Sequence, residues 1–436
     1  MLFNEPSPLE TKVVTRRFGK PNSTSIETYL ADDGYAGMKK ALQMTTAAII
    51  DEVKASALRG RGGAGFSTGM KWSFVPLNTG KPTYVICNAD ESEPGTCKDR
   101  LLIENDPHQL LEGIIIAGFA IRAPKSYIFI RGEYRYLIPT LEAAIAEAHQ
   151  HGFLGKNILG TGWDFDIHVH TGAGAYECGE ESALLESLEG KRGIPRLKPP
   201  FPAVVGAFQC PTIINNVETL SAVPAIFREG AQWYAALGPP KNGGTRMFCV
   251  SGHVNRPGVY EIALGFPMMR LINDVCGGIR NGKKLKCVIP GGSSAPCLRA
   301  EECDIPLDFD SFAKAKTMAG SGGIVVLDED TDIVKVALRT IKFYQHESCG
   351  WCIPCREGTT WLKKILTRFH EGGGRQQDID LIHEIAKGMF GRTFCPLGDA
   401  AAMPTYTFVE KFRDEFEAYL AKHRAPSATV PELALI

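Results

Sequence analysis

Three cysteines within seven residues of one another indicate a metal centre in this chain. Cys349, Cys352 and Cys355 follow a C-x2-C-x2-C spacing in the stretch SCGWCIPC. Thiolates suit iron, and these short steps let one loop hold three corners of a [4Fe–4S] cube. Cys395, which is followed by a proline, is the best candidate for the fourth ligand, because the helices predicted before it can fold it back.

Two other interpretations of these cysteines remain open. Structural zinc is usually bound by two pairs of closely spaced cysteines, or by cysteines together with histidine. Here one run has three cysteines, and the fourth is a single cysteine far along the chain. The stretch WCIPC also resembles a thioredoxin-like W-C-x-P-C site, but that motif belongs after a strand in a compact βαβ unit. Here it follows a predicted helix, and the remaining cysteines are expected to be core residues.

The composition is typical of a soluble globular protein with several domains. The chain has 436 residues, a net charge of -1 and 44% hydrophobic residues, which predicts two to four domains and no nucleic-acid binding. The longest apolar tract, 113–122, is too short to span a bilayer, so it predicts a buried helix. The N-terminus lacks the basic and then apolar segments of a secretory signal. The cysteines, which are odd in number, are expected to be mostly reduced, so we expect a cytoplasmic protein.

The first half of the chain alternates between strand-like and helix-like stretches. Residues 45–60 have helical spacing and end at a glycine. The apolar runs 84–89 and 126–132 are typical of buried strands, and 141–152 is typical of an amphipathic helix. This alternation predicts an α/β domain.

The pattern changes after residue 244. Two strand-like runs joined by an NRPG turn precede a short helix at 268–278 and a further strand at 284–292, which predicts a small α+β module of the β-grasp kind. The chain is mostly helical after residue 329, with apolar residues at helical spacing in 331–348, 359–372 and 377–391.

The glycine-rich stretch GRGGAGFSTGMKW at 60–72 is a candidate phosphate-binding loop. It matches G-x-G-x-x-G but follows a helical stretch, so a standard dinucleotide fingerprint fits poorly and a helix cap with a turn is the alternative. Its glycines leave backbone N–H groups free to face phosphate. Arg61 and Lys71 can add positive charge, and Phe66 and Trp72 offer flat faces for a ring.

Polar residues follow the strand at 84–89. Asn88, Asp90, Glu91 and Glu93 stand where α/β proteins bind ligands, at the carboxyl end of a strand. Carboxylates there can accept hydrogen bonds from ribose hydroxyls and repel a 2′-phosphate, which favours NADH over NADPH. A solvated turn is the alternative.

Two further sets precede predicted helices. Glu180 and Glu181 fall in a first helical turn, where acidic residues also occur for dipole reasons alone. Asn215 and Asn216 stand before another helix, which is consistent either with capping or with amide recognition of a heterocycle.

Taken in order, these motifs resemble those of the NADH-binding, flavin-containing F-type subunit of bacterial respiratory complex I. The match covers nearly the whole chain and is carried by GRGGAGFSTGMKW, NADESEPGT, GAGAYECGEE, PTIINNVET, SCGWCIPCREGT and TFCPLGD. One departure is Ser67, where the family usually has proline.

The resemblance implies a multidomain protein of α/β, α+β and α parts. It implies an N-terminal segment with the glycine-rich loop (1–72), an atypical Rossmann-like FMN/NADH-binding domain (73–240), a ubiquitin-like β-grasp or SLBB-like domain (241–330) and a helical bundle carrying a [4Fe–4S] cluster (331–436).

The resemblance also implies three sets of site residues. The FMN set is Gly60, Arg61, Gly62, Gly63, Lys71, Asn88, Asp90, Glu91, Tyr176, Gly179, Glu180, Asn215, Asn216 and Thr219. The NADH set is Phe66, Phe74, Glu93, Glu181, Lys198 and Phe201. The cluster ligands are Cys349, Cys352, Cys355 and Cys395.

The implied activity is NADH:quinone oxidoreductase. NADH passes a hydride to FMN, electrons pass singly to the cluster, and no catalytic acid or base is required. The implied partners are the small [2Fe–2S] subunit and the large iron–sulfur subunit of complex I, in a peripheral arm on the cytoplasmic face of the inner membrane, so that membrane association is indirect. Alternatives are the diaphorase subunit of an NAD-linked hydrogenase or formate dehydrogenase, and a silent iron–sulfur scaffold.

Overall fold

A computed structural model describes residues 7–423 of the chain. The first six residues of the predicted segment 1–72 and residues 424–436 of the predicted segment 331–436 lie outside this range. The described residues form two β-sheets and a C-terminal group of helices, which makes the fold a mixed α/β multidomain one. No helix in this range is long and apolar enough to cross a membrane.

Nine strands form the two sheets. They are β1 (Tyr84–Ala89), β2 (Lys125–Ile130), β3 (Asp166–Thr171), β4 (Thr212–Asn216), β5 (Thr245–Gly252), β6 (Gly258–Ala263), β7 (Leu285–Ile289), β8 (Leu298–Arg299) and β9 (Gly323–Asp328).

Seventeen α-helical segments surround them in the described range. They are α1 (Ile26–Leu30), α2 (Ala36–Ala41), α3 (Thr46–Ala55), α4 (Thr68–Ser73), α5 (Asp99–Asn105), α6 (Pro107–Ala120), α7 (Ile138–Gln150), α8 (Glu181–Leu188), α9 (Val217–Glu229), α10 (Ala231–Ala236), α11 (Met268–Arg270), α12 (Phe309–Lys314), α13 (Ile333–Glu347), α14 (Ile353–Arg368), α15 (Gln376–Met389), α16 (Pro396–Lys411) and α17 (Arg413–His423).

The first sheet is parallel, with strand order β3-β2-β1-β4. Its strands are rich in buried Val and Ile because helices cover the sheet, as parallel sheets require. Every residue of α6 is buried, which confirms the prediction of a buried helix at 113–122, and α6 packs against α9 and β1. Since β2 and β3 lie to one side of β1 and β4 to the other, the strand order reverses between β1 and β4.

The second sheet is mixed, with strand order β6-β5-β9-β7-β8. Strands β5 and β6 form the predicted antiparallel hairpin, and β9 pairs parallel with β5 and antiparallel with β7. Its core is separate from that of the first sheet and includes Phe248, Ile272 and Phe312. Helices α13 to α17 share a further core, to which the second sheet contributes Ile289 and Leu327.

Several helix boundaries differ from the sequence expectation, among them the following three. Helix α3 ends at Ala55 instead of continuing to residue 60, and the stretch at 268–278 is one α-helical turn followed by a π-helix to Val275. Helix α14 begins at Ile353, six positions before the predicted start at 359, because Pro354 is tolerated in a first helical turn.

Candidate functional site

The carboxyl edge of the parallel sheet is the first half of the site. Asn88 at the end of β1 pairs in register with Asn216 at the end of β4, on either side of the point where the strand order reverses. Open α/β sheets bind ligands at such a point. The Asn216 side chain accepts from the N–H groups of Glu218 and Thr219, so the capping interpretation of this residue is correct.

The glycine-rich loop lies over the N-terminus of α9. The Arg61 N–H donates to Thr219 Oγ1 at 2.8 Å, and a Cβ added at Gly62 would stand 3.0 Å from the Asn216 Cβ. A Cβ at Gly63 would meet no atom within 4 Å, so this part of the loop faces open space. Free N–H groups beside a helix N-terminus form a site suited to a phosphate.

The floor of this loop comes from the second sheet's domain. Gly65 has φ +63°, and a Cβ there would lie 2.5 Å from Phe309 Cδ1 at the start of α12. Arg59 Nε donates to Gly65 O at 2.6 Å, and its guanidinium lies 4.4 Å from the Phe309 ring centre. The loop therefore rests directly on a phenylalanine from another domain.

Two buried arginines lie beneath the same loop. Arg61 is fully buried and donates to Gly243 O at 2.8 Å, so its charge lies under the loop and not in the open space above it. Arg246 Nε and Nη1 have no hydrogen-bond partner among the described residues. Burial lowers the pKa of Arg246 to about 10, although Glu218 opposes this shift. This buried positive charge fits an anionic ligand.

Two lysines flank the other side of the site. Lys71 Nζ donates to Glu181 Oε2 at 2.9 Å and to Ile214 O at 2.8 Å, while Lys198 Nζ bonds Glu180 at 2.6 Å and Glu181 at 3.0 Å. Burial alone would raise the pKa of Glu181, but the two ammonium groups outweigh it and lower the pKa to about 2. Glu181 is therefore ionised at neutral pH. Glu180 caps α8.

The acidic loop after β1 is largely occupied with bonds to the protein itself. Glu91 is buried and accepts from the N–H groups of Lys98, Asp99 and Arg100, which caps the start of α5. Burial raises the pKa of Glu91 to about 8 and that of Asp90 to about 7.

Glu93 lies where three parts of the chain meet. It accepts from Tyr176 OH at 2.7 Å, from the Ser294 N–H at 2.8 Å and from Ser293 Oγ at 3.3 Å. Tyr344 of α13 lies beside the same carboxylate, and burial raises the pKa of Glu93. The first sheet, the second sheet's domain and the helical part therefore all contact this one side chain.

The aromatic members of the predicted NADH set are exposed. The Phe66 and Phe74 rings lie 6.1 Å apart. Phe201 is 59% exposed and stands on the segment that follows Lys198. Exposed rings next to a cluster of polar side chains can stack on a ligand ring.

The four cysteines line one cavity, which they share with Glu177, Pro195, Trp351 and Leu397. Cys352 is the N-cap residue of α14, Cys355 lies in its first turn, and Cys395 is the N-cap residue of α16. Helix N-termini favour negative charge, as a thiolate-bound cluster carries. The prediction that Cys395 folds back to the three-cysteine run is confirmed.

The four cysteines around one cavity match the number of thiolates that a [4Fe–4S] cluster takes. Zinc requires its four ligands at one centre, whereas each thiolate of a [4Fe–4S] cluster binds its own iron. The cysteines follow helix α13 and not a strand, so the thioredoxin interpretation is not supported.

One short segment joins the two halves of the site. Gly179 O accepts from Asn88 Nδ2 at 2.9 Å, at the carboxyl edge of the sheet. Glu177 of the same turn lines the cysteine cavity together with Cys395. The Tyr176 N–H donates to Glu347 Oε2 at 3.1 Å, at the end of α13. The sheet-edge pocket and the cysteine cavity are thus one turn of chain apart.

Sequence reasoning missed a buried lysine behind the acidic loop. Lys98 is 1% exposed, and its Nζ lies 2.7 Å from both an Asp99 and a Glu218 oxygen. It also donates to Asn216 Oδ1 at 3.4 Å, so it ties the loop to α9. The adjacent Lys98-Asp99 pair, directly after the acidic stretch, was the available signal.

The family comparisons agree with this geometry. Residues 53–225 match the model described as Nuo51 FMN-binding domain, residues 246–336 an SLBB domain, and residues 335–419 the NADH-ubiquinone oxidoreductase-F iron-sulfur binding region. All four cysteines fall within the third match.

Relatives of similar length share about half of the sequence. The second F subunit of the NADH-quinone oxidoreductase of Rhizobium meliloti (strain 1021) is 51% identical over 95% of this chain and 99% of its own length. The NADH-quinone oxidoreductase F subunit of Rickettsia typhi (strain ATCC VR-144 / Wilmington) is 54% identical over 85% of this chain and 88% of its own length.

Solved structures of an NAD+-reducing [NiFe]-hydrogenase have the same fold. The H2-reduced form gives a TM-score of 0.79 and 38% identity over 89% of this chain and 65% of that chain. The air-oxidised form gives a TM-score of 0.81 and 35% identity over 97% of this chain and 69% of that chain. On the strength of these relatives and of the three matched domains, this chain belongs to the family of NADH-quinone oxidoreductase F subunits.

Proposed function

We propose that this chain is the subunit of a complex I-type NADH:quinone oxidoreductase that oxidises NADH. Its cofactors are FMN and a [4Fe–4S] cluster, and NADH is its substrate. When bound, FMN takes two electrons from NADH as a hydride and releases them singly, which a one-electron cluster requires. The observation that carries the proposal is the turn Tyr176–Gly179, which contacts the sheet-edge pocket through Gly179 and lines the cysteine cavity through Glu177.

The glycine-rich loop and the sheet edge would hold FMN. The N–H groups near Gly62 and Gly63 would face its phosphate, over the N-terminus of α9 and above the buried Arg61 and Arg246. The remaining residues that we assign to this pocket line the sheet edge and its flanking loops: Gly60, Lys71, Asn88, Asp90, Glu91, Tyr176, Gly179, Glu180, Asn215, Asn216 and Thr219.

The outer part of the pocket would bind NADH. Phe66, Phe74 and Phe201 offer exposed rings for stacking, and Lys198 together with Lys71 holds Glu181 ionised. An ionised carboxylate accepts hydrogen bonds from ribose hydroxyls, and Glu93 would supply a second one. A hydride transfer needs no side-chain proton donor, so these residues bind and orient the dinucleotide.

Cys349, Cys352, Cys355 and Cys395 would hold the cluster. Burial raises the pKa of the Cys355 thiol to about 11 and also raises that of Cys395, and iron would bind both as thiolates with release of their protons. Their positions at helix N-termini would stabilise the bound thiolates.

We also assign the domain boundaries and labels given by the resemblance. The parallel sheet and its covering helices support a Rossmann-like domain at 73–240, preceded by the loop-bearing segment 1–72. The mixed sheet supports a β-grasp domain at 241–330, and helices α13 to α17 support a cluster-bearing bundle in the described part of 331–436.

The partners would be the small [2Fe–2S] subunit and the large iron–sulfur subunit of complex I, in an arm on the cytoplasmic face of the inner membrane. A rim of exposed apolar side chains beside the cysteine cavity supports docking of an electron-accepting protein there. Trp351 is 59% exposed and Ile353 is 65% exposed, and Phe394 also lines the cavity. Exposed apolar side chains gathered in one place are typical of an interface.

The diaphorase role is the second candidate, because the similar solved structures belong to an NAD+-reducing [NiFe]-hydrogenase. The test is purification of the chain with its native partners under anaerobic conditions. We expect FMN and iron together, NADH-dependent reduction of an artificial acceptor, and quinone-reductase subunits in the complex. A correctly folded complex without FMN contradicts the enzyme assignment, and a hydrogenase or formate dehydrogenase subunit in its place supports the diaphorase role.

A further inference from the structure

Two cysteines outside the cluster cavity face each other across a domain boundary. Cys97 belongs to the acidic loop that follows β1, between Glu93 and the buried Lys98, and Cys249 belongs to β5 of the second sheet. The Cys97 N–H points at Cys249 Sγ at 3.3 Å. This contact places the two cysteine side chains next to each other.

The contact is part of a packed interface and does not depend on one rotamer. A Cβ added at Gly323, the residue that pairs with Cys249 in the sheet, would lie 2.7 Å from Gly95 O and 2.9 Å from Thr96 Oγ1. The Ser293 N–H donates to Pro94 O at 3.1 Å. The chain from Pro94 to Cys97 therefore runs directly over the start of β9, where it pairs with Cys249 of β5.

We propose that Cys97 and Cys249 form a reversible thiol-oxidation site that closes to a disulfide between the acidic loop and strand β5. The oxidant is a peroxide of the hydrogen peroxide class. The Cys97 thiolate attacks one peroxide oxygen and the O–O bond breaks, which leaves a sulfenic acid and, after protonation, one water. The Cys249 sulfur then attacks the Cys97 sulfur, the S–O bond breaks, and a second water leaves. Two electrons pass from the two thiols to the peroxide.

The surroundings divide these roles between the two cysteines. Cys97 is partly exposed, whereas Cys249 is buried. Interaction with the neighbouring Cys249 thiol, helped by Arg100 and Lys98, lowers the pKa of Cys97 to about 7, and burial raises that of Cys249. A peroxide-sensing pair has this arrangement of an accessible thiolate next to a resolving thiol. Intracellular disulfides are mostly of this transient kind.

The cross-link would act on the pocket that we assign to FMN and NADH. The acidic loop carries Asp90 and Glu93 upstream of Cys97 and Lys98 immediately after it. A disulfide would attach this loop covalently to the second domain, which also supplies the floor of the glycine-rich loop. The inference rests on the proposed function only for this consequence, because the thiol chemistry is independent of it.

The test is peptide mapping of the purified complex, with flavin and cluster in place. The complex is treated anaerobically with hydrogen peroxide, the free thiols are alkylated, and the peptides are analysed with and without dithiothreitol. We expect a Cys97–Cys249 linked peptide that dithiothreitol removes. At pH 7 Cys97 should react roughly tenfold faster than buried Cys276. A Cys97 that remains open to alkylation, or that pairs with another cysteine, overturns the proposal.

Two variants distinguish oxidation of the Cys97–Cys249 pair from oxidation of other cysteines. In Cys249→Ser the linked peptide should disappear and Cys97 should be trapped by dimedone as a sulfenic acid. In Cys276→Ser, a matched change at another buried cysteine of the same domain, the linked peptide should persist. An unchanged cluster absorbance during the peroxide treatment shows that the cysteine cavity is not the source of the thiols. Formation of the linked peptide in a complex that fails to oxidise NADH would contradict the proposed function alone.

Discussion

Cys352 and Cys395 occupy the same position in two different helices: each is the N-cap residue, of α14 and α16 respectively. Neither side chain makes a capping hydrogen bond. Neither sulfur is therefore used for capping, and both lie where a helix dipole favours negative charge. The N-termini of α14 and α16, which are distant in sequence, therefore meet at one cavity.

Replacement of the remote ligand should remove the cluster and spare the flavin. In Cys395→Ala one iron loses its thiolate, so iron content and the reduced-cluster EPR signal should fall to background while FMN remains bound. Cys210→Ala, at a buried cysteine outside the cavity, is the control and should keep both. Retention of the signal in Cys395→Ala would show that the fourth ligand lies elsewhere.

Loss of the loop floor should weaken FMN binding. Phe309→Leu removes the ring on which Gly65 rests, so we expect FMN to dissociate roughly tenfold more readily, a change worth about 1.4 kcal/mol. The measurement is flavin fluorescence released on dilution. Phe312→Leu alters a buried ring of the same helix and should lower thermal stability without changing FMN release. Equal FMN release in the two variants would show a general packing effect.

The ion pairs of Glu181 predict an acid-dependent change in stability. The folded pKa is lowered to about 2, below an ordinary value of about 4.3, so ionised Glu181 stabilises the fold fully above about pH 5. This contribution, at most about 3 kcal/mol, is lost as the pH falls through the folded pKa. Denaturant unfolding should show Glu181→Gln less stable than the parent at pH 7, by an amount that shrinks in acid. A constant difference across this range would argue against the ion pairs.

Glu93 should contribute to the choice of dinucleotide. Glu93→Gln keeps the side-chain size and loses one negative charge, so repulsion of a 2′-phosphate weakens and the ratio of kcat/KM for NADH over NADPH should fall. Steady-state kinetics with ferricyanide measure this ratio. Glu104→Gln, on α5 away from the loop, should leave it unchanged. Unchanged selectivity in Glu93→Gln would remove this residue from the nucleotide set.

The apolar rim of the cysteine cavity should be needed for electron delivery to the partner. Trp351→Glu places a charge on that rim, so quinone reduction by the assembled complex should fall while NADH:ferricyanide activity persists. Trp233→Glu, at an exposed tryptophan of α10, is the control and should affect neither activity. Full quinone reductase activity in Trp351→Glu would place the electron exit elsewhere.

Local sequence patterns predicted the structural features that depend on residues close together in the sequence. Strand β1 spans the predicted 84–89, because its apolar run is bounded by turn residues and a polar loop. Cys349, Cys352, Cys355 and Cys395 could be grouped from the sequence, because few kinds of metal centre are bound by thiolates alone. The contact of Gly65 with Phe309 and the salt bridge of Lys98 with Glu218 could not be predicted, because they join segments that are distant in sequence.

Because the glycine-rich loop rests on Phe309, there is a lower limit on the size of a fragment of this chain that can bind FMN by itself. A fragment covering the matched flavin region, 53–225, would keep every side chain that we assign to FMN, yet it would lack β5, α12 and the buried Arg246. Its loop would collapse into the space left by the missing ring. The minimal flavin-holding unit of this protein therefore extends beyond its flavin-binding sequence match, and gene truncation or domain exchange at that border would yield an apoprotein.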